Sequence, residues 1–353
     1  MTVFRVLDAS IPDEREIWME AWNAWPSREI WAYPSYAELF GRKCDRVLCA
    51  LMDAPDGAIL FPFILRPLAS EPWTGTDNRD WDVTSPYGYG GPFCWGTPNA
   101  KEFWTSFDNW SKCTGVVCSF IRLSLFPEQM IPFPGHVEEK TPNVVRRLDL
   151  DSHDIWMDYK HKVRKNVKKA KRAGLEVEID FNGVNLNDFI SIYYSTLKRR
   201  GAPRRYYFSR RFFEDIIKDL YGQFAFFYIV HQKRILSAEL VLVSVNYLYS
   251  FLGGTLQQAF QFCPNDLLKH EIIEWGRKQG KKAFVLGGGY KGPDGIFRYK
   301  LSFAPKGEVP FSVGKKIYNA ESYNRLEKER SKWKAGQNND RNQPPDFFPV
   351  YRS

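Results

Sequence analysis

The feature that most constrains the fold is a basic segment in the middle of the chain that ends at a glycine. Between Lys160 and Arg172 it carries eight lysine and arginine residues and no acidic residue. Gly174 stands where a helix commonly ends, and the alternation from Leu175 to Ile179 then predicts a strand. At about 100° per residue, the apolar residues of the segment form one narrow stripe: Trp156, Tyr159, Val163, Val167 and Ala170. We therefore predict a helix that packs on a core through this stripe, has a cationic outer surface, and leads directly into a sheet.

Strand and helix patterns along the rest of the chain favour an α/β fold. The second half contains a predicted antiparallel meander, a helix and a short buried strand, over 224–253, 264–279 and 282–286. The first half repeats this order weakly, with a hairpin, a Gly-Gly pair, a helix and a buried strand. The pattern favours two copies of one α/β unit, each with a mixed sheet and helices on its faces. The predicted bounds are 1–150 for the first domain, 151–335 for the second and 336–353 for a loose tail.

The composition suits a large globular protein and excludes several other classes. Of the 353 residues, 44% are hydrophobic and 16% aromatic, which is enough for a substantial core and excludes intrinsic disorder. The six cysteines have no metal-binding spacing, so we expect no metal ion and free thiols in a reducing cytoplasm. We also expect no secretory signal and no transmembrane segment. The net charge of +9 permits a polyanionic partner, such as nucleic acid, phosphate or an anionic membrane, but does not require one.

Several common catalytic motifs are missing from the sequence. The glycine run at 287–292 matches GxGxxG formally, but a turn is predicted after it instead of the helix that a dinucleotide site needs. No GxxxxGK[ST] phosphate loop and no GxSxG elbow occurs, and His270-Glu271 lacks the second histidine of a zinc protease. The sequence therefore does not support dinucleotide, zinc-protease or serine-hydrolase chemistry.

The segment Phe284–Phe303 is the best candidate for chemistry. A predicted buried strand ends there in three glycines, where the backbone can approach a ligand closely. The chain then returns through two cations with an aromatic residue between them, which can hold an acyl donor and stabilise the oxyanion of acyl transfer. The competing interpretation, which composition alone favours, is an amphipathic strand whose cations are solvated. The residues concerned are Gly287, Gly288, Gly289, Arg298, Tyr299 and Lys300.

These residues, in this order, resemble the FemABX family of aminoacyltransferases. The resemblance implies two tandem GNAT-like domains, each a mixed, mostly antiparallel sheet flanked by helices. It also implies transfer of an aminoacyl group from charged tRNA to an amine of a cell-wall precursor or a related peptide or sugar, without a cofactor. It covers most of residues 30–310, through the spacing of Ala173-Gly174-Leu175-Glu176-Val177, Gly253-Gly254-Thr255, Asn265-Asp266-Leu267-Leu268 with Trp275, Leu286-Gly287-Gly288-Gly289, and Asp294–Phe303.

The resemblance also implies roles for individual residues. The family's Phe-Lys pair, whose lysine is implicated in transition-state stabilisation, reads Tyr299-Lys300 here, so the catalytic role falls on Lys300. Asn265 is expected to contact substrate, and Tyr87 and Tyr89 can line an acceptor site in the first domain, although aromatic packing explains them equally well. Four cations of the basic helix are expected to contact nucleic acid unless they simply form a solvated face: Arg164, Lys165, Lys168 and Lys169.

Two other functions stay open. An acyl-CoA-dependent GNAT N-acyltransferase would act on an amino sugar or small amine, for example in surface polysaccharide biosynthesis. The (R/Q)xxGx(G/A) loop with which single-domain GNAT proteins grip CoA is missing, however. A nucleic-acid-binding protein without enzymatic activity would use the basic helix alone. For either transferase we expect a cytoplasmic location, with peripheral membrane association as an option.

Overall fold

The computed structural model describes residues 2–289, 292, 294–336 and 347–352. Its strands are β1 (Val3–Asp8), β2 (Arg46–Ala54), β3 (Gly57–Pro67), β4 (Trp81–Thr84), β5 (Phe93–Gly96), β6 (Val116–Arg122), β7 (His136–Arg147), β8 (Glu176–Asp180), β9 (Phe224–His231), β10 (Arg234–Val243), β11 (Tyr247–Thr255), β12 (Ala283–Gly287) and β13 (Glu308–Ile317). Its α-helices are α1 (Pro12–Ala24), α2 (Pro34–Glu38), α3 (Ala100–Thr114), α4 (Ser152–Asp158), α5 (His161–Arg172), α6 (Leu186–Arg200), α7 (Arg210–Asp219), α8 (Pro264–Lys278), α9 (Gly295–Leu301) and α10 (Ala320–Gly336). The predicted α/β fold class is confirmed.

The chain divides into two compact units whose bounds differ from those of the predicted domains. The first unit comprises the described residues of Met1–Pro26, Trp31–Lys140 and Phe311–Ser353. The second unit comprises Ser27–Ile30 and the described residues of Thr141–Pro310. The prediction of 151–335 for the second domain therefore misses the return of the chain to the first unit after residue 310.

The C-terminal segment joins the first unit because it supplies both a strand and core residues. Strand β13 pairs antiparallel with β6 from Val313 to Ile317. Tyr323 and Leu326 of α10 and the fully buried Tyr351 pack in one cluster with residues of β6. The loose tail predicted at 336–353 is therefore wrong for residues 347–352, whereas residues 337–346 and 353 lie outside the described residues.

The first unit is a mostly antiparallel sheet with an aromatic core on one face. Its strand order is β1-β2-β3-β4-β6-β13, with β5 paired to β3. Strands β4 and β6 are parallel, because α3 connects them as a crossover helix. The core beneath α3 is built from large rings: Phe103, Trp104 and Phe107 of the helix pack with Phe61 and Phe63 of β3.

The second unit has the same arrangement of strands and crossover helix, but its core is mainly aliphatic. Its strand order is β7-β12-β11-β10-β9-β8, with the predicted meander of β9, β10 and β11 at its centre. Strands β11 and β12 are parallel, and α8 is the crossover helix between them. Helices α5 and α8 pack on the same aliphatic core, to which α5 contributes Val163, Val167 and Ala170.

The basic segment folds as predicted except for one break. Helix α5 ends before Gly174, which adopts a left-handed φ of 73°, and β8 follows at once. The chain is not helical at Tyr159 and Lys160, so α4 and α5 are separate helices. Trp156 therefore belongs to α4 and not to the stripe of the basic helix, although both helices face the same core.

Candidate active site

The parallel strands β11 and β12 lie side by side only over their first three residues. Residues 247–249 pair with residues 283–285, whereas β11 continues to Thr255. Strand β12 ends at Gly287, which pairs with Val144 of β7 on its other edge. The second unit therefore has an opening between the ends of two parallel strands, a position where α/β sheets commonly bind ligands.

The next element after β12 is a short helix, where the sequence predicted a turn and a strand. In α9 the side chain of Asp294 caps the first turn by accepting a hydrogen bond from the backbone N–H of Phe297 at 2.8 Å. The interpretation of Arg298 and Lys300 as charges on an amphipathic strand is therefore wrong. Of the glycine-run loop, residues 290, 291 and 293 lie outside the described residues.

Lys300 extends from α9 to the glycine run at the end of β12. Its Nζ donates a hydrogen bond to the carbonyl oxygen of Gly288 at 2.8 Å. Residue 288 also lies close to the neighbouring strand β7: a Cβ there would lie 3.2 Å from the carbonyl oxygen of Pro142. Burial, and next to it the positive charge of Lys269, lower the pKa of Lys300 to about 7. Lys300 is therefore an amine that can be charged or neutral near neutral pH.

A buried ion pair lies close enough to Lys300 to act on its charge. Lys269 of α8 and Glu239 of β10 are both buried and contact each other, and Lys269 Nζ also donates to Ser250 Oγ at 2.8 Å. Glu239 favours the charged form of Lys300 and Lys269 opposes it. We did not predict either residue. The available signals were one carboxylate inside the apolar strand RILSAELVLV and one lysine among the apolar residues of LLKHEII.

Arg298 and Tyr299 line a cavity of about 440 Å³ beside α5. Asp266 is the only carboxylate among its described lining residues; burial raises the pKa of Asp266 to about 6. Asn166 Nδ2 donates to this carboxylate at 3.2 Å. A cavity with three cations and one such carboxyl suits an anionic ligand and can exchange a proton near neutral pH. The other lining residues are Lys160, Lys162, Val163, Gly295 and Ser302.

Two residues that were predicted to contact substrate, Asn265 and Tyr299, contact each other. Asn265 Nδ2 donates to Tyr299 Oη at 2.7 Å, and the Tyr299 ring also packs against Phe303 at 5.4 Å between centroids. The structure thus brings these two residues together at the cavity wall. Asn265 holds the ring in place, and the ring lines the cavity.

One of the four cations predicted to bind nucleic acid is used inside the protein. Arg164 Nη1 donates to the carbonyl oxygens of Met157 at 2.7 Å and Tyr159 at 2.6 Å. These carbonyls stand at the C-terminal end of α4, where a cation is favourable. Arg164 therefore stabilises the break between α4 and α5.

The three predicted lysines are exposed but point to different sides of α5. At about 100° per residue, Lys165 and Lys169 fall near Lys162, which lines the cavity. Burial raises the pKa of the Cys263 thiol at the start of α8, and the charges of Lys169 and Lys162 oppose that rise. Lys168 lies elsewhere, with Nζ 5.9 Å from the centre of the Trp156 ring. We refer to Lys162, Lys165 and Lys169 as the cationic row.

In the first unit, the two predicted tyrosines differ in exposure. The Tyr89 ring packs edge-on against Trp31 and Phe311, at centroid distances of 5.3 and 5.8 Å. The packing interpretation therefore describes Tyr89. Tyr87 is 45% exposed and keeps the geometry of a candidate ligand contact.

Part of the second unit matches a known protein family. Residues 157–301 match a family described as an acetyltransferase (GNAT) domain, a range that includes α5, the meander, α8 and α9. Among solved structures, FemX is similar with a TM-score of 0.65 at 12% sequence identity, covering 88% of this chain and 97% of FemX. The match to residues 157–301 and the similarity of the whole fold to FemX together support a FemABX-like GNAT acyltransferase. The predicted family resemblance and the prediction of an acyltransferase are thereby confirmed.

Two further solved structures share the fold of this chain. The C-terminal domain of a putative lysylphosphatidylglycerol synthetase from Agrobacterium fabrum has a TM-score of 0.54 at 12% identity, covering 87% of this chain and 93% of that one. L-PGS from Bacillus licheniformis has a TM-score of 0.51 at 13% identity, covering 94% and 98%. A search of curated proteins by sequence found no significant match.

The part of the chain that the structure describes has neither a metal-binding cluster nor a membrane-spanning helix. There, no three histidine, cysteine, aspartate or glutamate side chains are grouped so that they can hold a metal ion. Within the same residues, no helix has the length and apolar character needed to cross a membrane.

Proposed function

We propose that the protein transfers an aminoacyl group from an aminoacyl-tRNA to an amine, and that Lys300 stabilises the oxyanion formed on the way. The observation that carries this proposal is the position of Lys300 at the open ends of β11 and β12, on the neutral carbonyl oxygen of Gly288. The likeness to FemX and to a putative lysylphosphatidylglycerol synthetase supports an aminoacyl rather than an acetyl group.

In the proposed reaction, the amine nitrogen of the acceptor attacks the carbonyl carbon of the aminoacyl ester. The carbonyl oxygen gains negative charge, and the Lys300 ammonium donates to it in place of the Gly288 oxygen. When the tetrahedral intermediate collapses, the C–O bond to the ribose breaks, and the tRNA leaves with a free hydroxyl group. The acceptor amine loses one proton to Asp266, because a carboxyl with a pKa of about 6 is ionised at neutral pH. Asp266 then gives this proton to the departing ribose oxygen, which leaves as the hydroxyl group.

The donor tRNA is proposed to lie along the cationic row. Phosphate groups attract lysine and arginine without regard to base sequence. Lys162 of the row lines the cavity together with Lys160 and Arg298. The aminoacyl end of the tRNA would then enter the cavity, pass Arg298 and Tyr299 on its wall, and reach the opening near Lys300. No cofactor other than the donor is required by this proposal.

The proposed acceptor is an amine of a cell-wall precursor or of a related peptide or amino sugar, reached in the cytoplasm or at the inner membrane surface. This part of the proposal follows the family resemblance and the GNAT fold, which joins acyl donors to amines. The alternative donor is acyl-CoA, which the description of the matched family as an acetyltransferase domain favours.

The test is an aminoacyl-transfer assay with the purified protein. It is incubated with tRNA charged with a mixture of labelled amino acids and with peptide, muropeptide and amino-sugar acceptors. Label in a base-stable amide product is expected with the wild type and with Lys306→Met, an exposed lysine of the same unit, but not with Lys300→Met. If no acceptor takes label from tRNA while acetyl-CoA acetylates one of them, the acyl-CoA alternative replaces this proposal.

A further inference from the structure

Arg122, at the end of β6 in the first unit, is a half-buried cation between two aromatic rings. The centre of its guanidinium lies 5.3 Å from the Phe120 ring and 5.9 Å from the Tyr87 ring. Its backbone N–H donates to Ser85 Oγ at 2.9 Å, which fixes the end of the strand. Within the described residues its side chain forms no ion pair and no hydrogen bond with the protein.

The neighbouring arginines of the same unit behave differently. Arg66 Nε donates to the buried Asp82 at 2.7 Å, and Arg352 Nε donates to the same carboxylate at 2.5 Å. Burial, opposed by Tyr87, lowers the pKa of Arg122, and the nearby charge of Arg66 lowers it further. Burying a cation without a counter-ion costs free energy, so a ligand that supplies the missing negative charge would be favoured at this position.

The loop that carries Tyr87 is rigidly held. Tyr36 Oη donates to the carbonyl oxygen of Tyr87 at 2.7 Å. Gly88 has a φ of 111°, and a Cβ there would lie 2.3 Å from the Trp31 ring. The backbone at Tyr87 therefore has a fixed path beside Arg122, so a ligand needs to order only the Tyr87 side chain.

The geometry leaves one kind of contact open to the guanidinium. The two rings take up cation–π positions beside it, whereas its N–H donors lie in its plane and point along its edge. Carboxylates and phosphates accept two parallel hydrogen bonds from such an edge. Tyr87, which is 45% exposed, adds a face on which an apolar or sugar part of the same ligand can lie.

We propose that Arg122, with Tyr87, forms an oxyanion-binding site of the first unit that holds a ligand through a carboxylate or phosphate group. The site is independent of the proposed aminoacyl transfer. Neither the family match at residues 157–301 nor the prediction for Tyr87 assigns any role to Arg122. The ligand class that this site would select is a small anion with a carboxylate or phosphate group and an apolar or sugar part that can lie on the Tyr87 ring.

The experiment measures anion binding without tRNA. Inorganic pyrophosphate and succinate are titrated by calorimetry into the wild type, Arg122→Gln, Arg122→Lys and the double variant Lys165→Gln/Lys169→Gln. We expect binding of at least one anion that Arg122→Gln weakens tenfold or more, that Arg122→Lys weakens partly, and that the double variant leaves unchanged. Preference for pyrophosphate or succinate distinguishes a phosphate from a carboxylate ligand.

Three results would overturn the site. The first is equal anion affinity in the wild type and Arg122→Gln, and the second is loss of binding in the double variant alone. The third is a large loss of stability in Arg122→Gln, which would make Arg122 a packing residue. An uncompensated cation predicts the opposite, namely unchanged or higher stability on urea denaturation. A failure of the proposed aminoacyl transfer would leave this anion titration valid, because the titration contains no tRNA and no acceptor amine.

Discussion

Each unit contains one pair of parallel strands, but the two pairs differ in whether their strands stay together at the end. In the second unit, β11 and β12 pair over three residues and then separate, and Lys300 reaches the end of β12. In the first unit, β4 and β6 pair along the whole of β4. A bridge from Gly90 to Leu123 continues that pairing, because the loop after β4 returns along β6. One pair is open at its end, and the chain itself closes the other.

The crossover helices of the two units also differ in the residues that they bury. The crossover helix α8 of the second unit carries the buried Lys269 and Asp266, whereas the buried face of α3 carries Phe103, Trp104 and Phe107. Duplicated topology therefore does not imply duplicated chemistry. We infer that only the open pair serves the acyl donor, and that the closed pair stabilises the loop which presents Tyr87.

The largest effect is expected from removing a buried charge of the second unit. Glu239→Gln should lower the free energy of unfolding by about 3–5 kcal/mol, because Lys269 would stay buried without its counter-ion. Asp108→Asn in the first unit breaks the partly exposed pair with Lys316 and should cost about 1 kcal/mol or less. Urea denaturation followed by circular dichroism measures both. Equal losses would mean that burial of the ion pair does not determine the cost of breaking it.

The second effect concerns catalysis at the open strand pair. Lys300→Met should lower kcat by about 10²–10³-fold, the usual loss when one oxyanion donor is removed. The melting temperature should change little, since Met fills a similar space. The matched variant Lys306→Met should keep full activity. A Lys300→Met enzyme with more than half of the wild-type kcat would contradict the assignment of the oxyanion donor.

The third effect is a bell-shaped pH dependence of transfer. The Lys300 ammonium is lost as the pH rises through about 7, and the Asp266 carboxylate is lost as the pH falls through about 6. The rate should therefore peak between these values and fall about tenfold per pH unit on either side. Asp266→Asn should abolish the acidic limb and leave the alkaline one. If both limbs persist in that variant, another group accepts the proton.

The smallest effect is expected on the surface of α5. Lys165→Gln/Lys169→Gln should weaken tRNA binding several-fold and reduce the slope of log K against log salt by roughly 1–2, about 0.7–0.9 for each phosphate that is no longer neutralised. Lys168→Gln is the matched control on the same helix, because its side chain lies over Trp156. Filter binding at a series of salt concentrations measures the slopes. Equal slopes for all three proteins would leave the cationic row as a solvated face.

Local patterns were sufficient to predict the elements that position the site. The meander and helices α5 and α8 have clear apolar periodicity, and their ends agree with the structure within a few residues. Helix α9 was mistaken for a strand because the sequence IFRYKLSF fits an alternating pattern as well as a helical one. Its structure depends on the Asp294 cap and on the contact from Lys300 to Gly288, and neither is visible in the local pattern.

Long-range pairing explains the remaining errors. Nothing in residues 311–336 indicates that β13 pairs with β6 almost 200 residues earlier, so the domain bounds were misplaced. Burial of Tyr351 likewise depends on distant partners. The buried pair of Lys269 and Glu239 was missed for the same reason, since each residue alone resembles an isolated polar position in an apolar element.

The hydrogen bond from Lys300 to the Gly288 carbonyl has a consequence for how this enzyme can vary. Every amino acid supplies a backbone oxygen, so no point substitution at residue 288 deletes the atom that holds the lysine. A substitution there acts only by moving the chain, since a Cβ would press on the Pro142 carbonyl oxygen at 3.2 Å. The anchoring of the proposed catalytic amine is therefore robust to substitution at residue 288 and sensitive to the path of the backbone. A search for damaging variants should target the conformation of the loop and not its side chains.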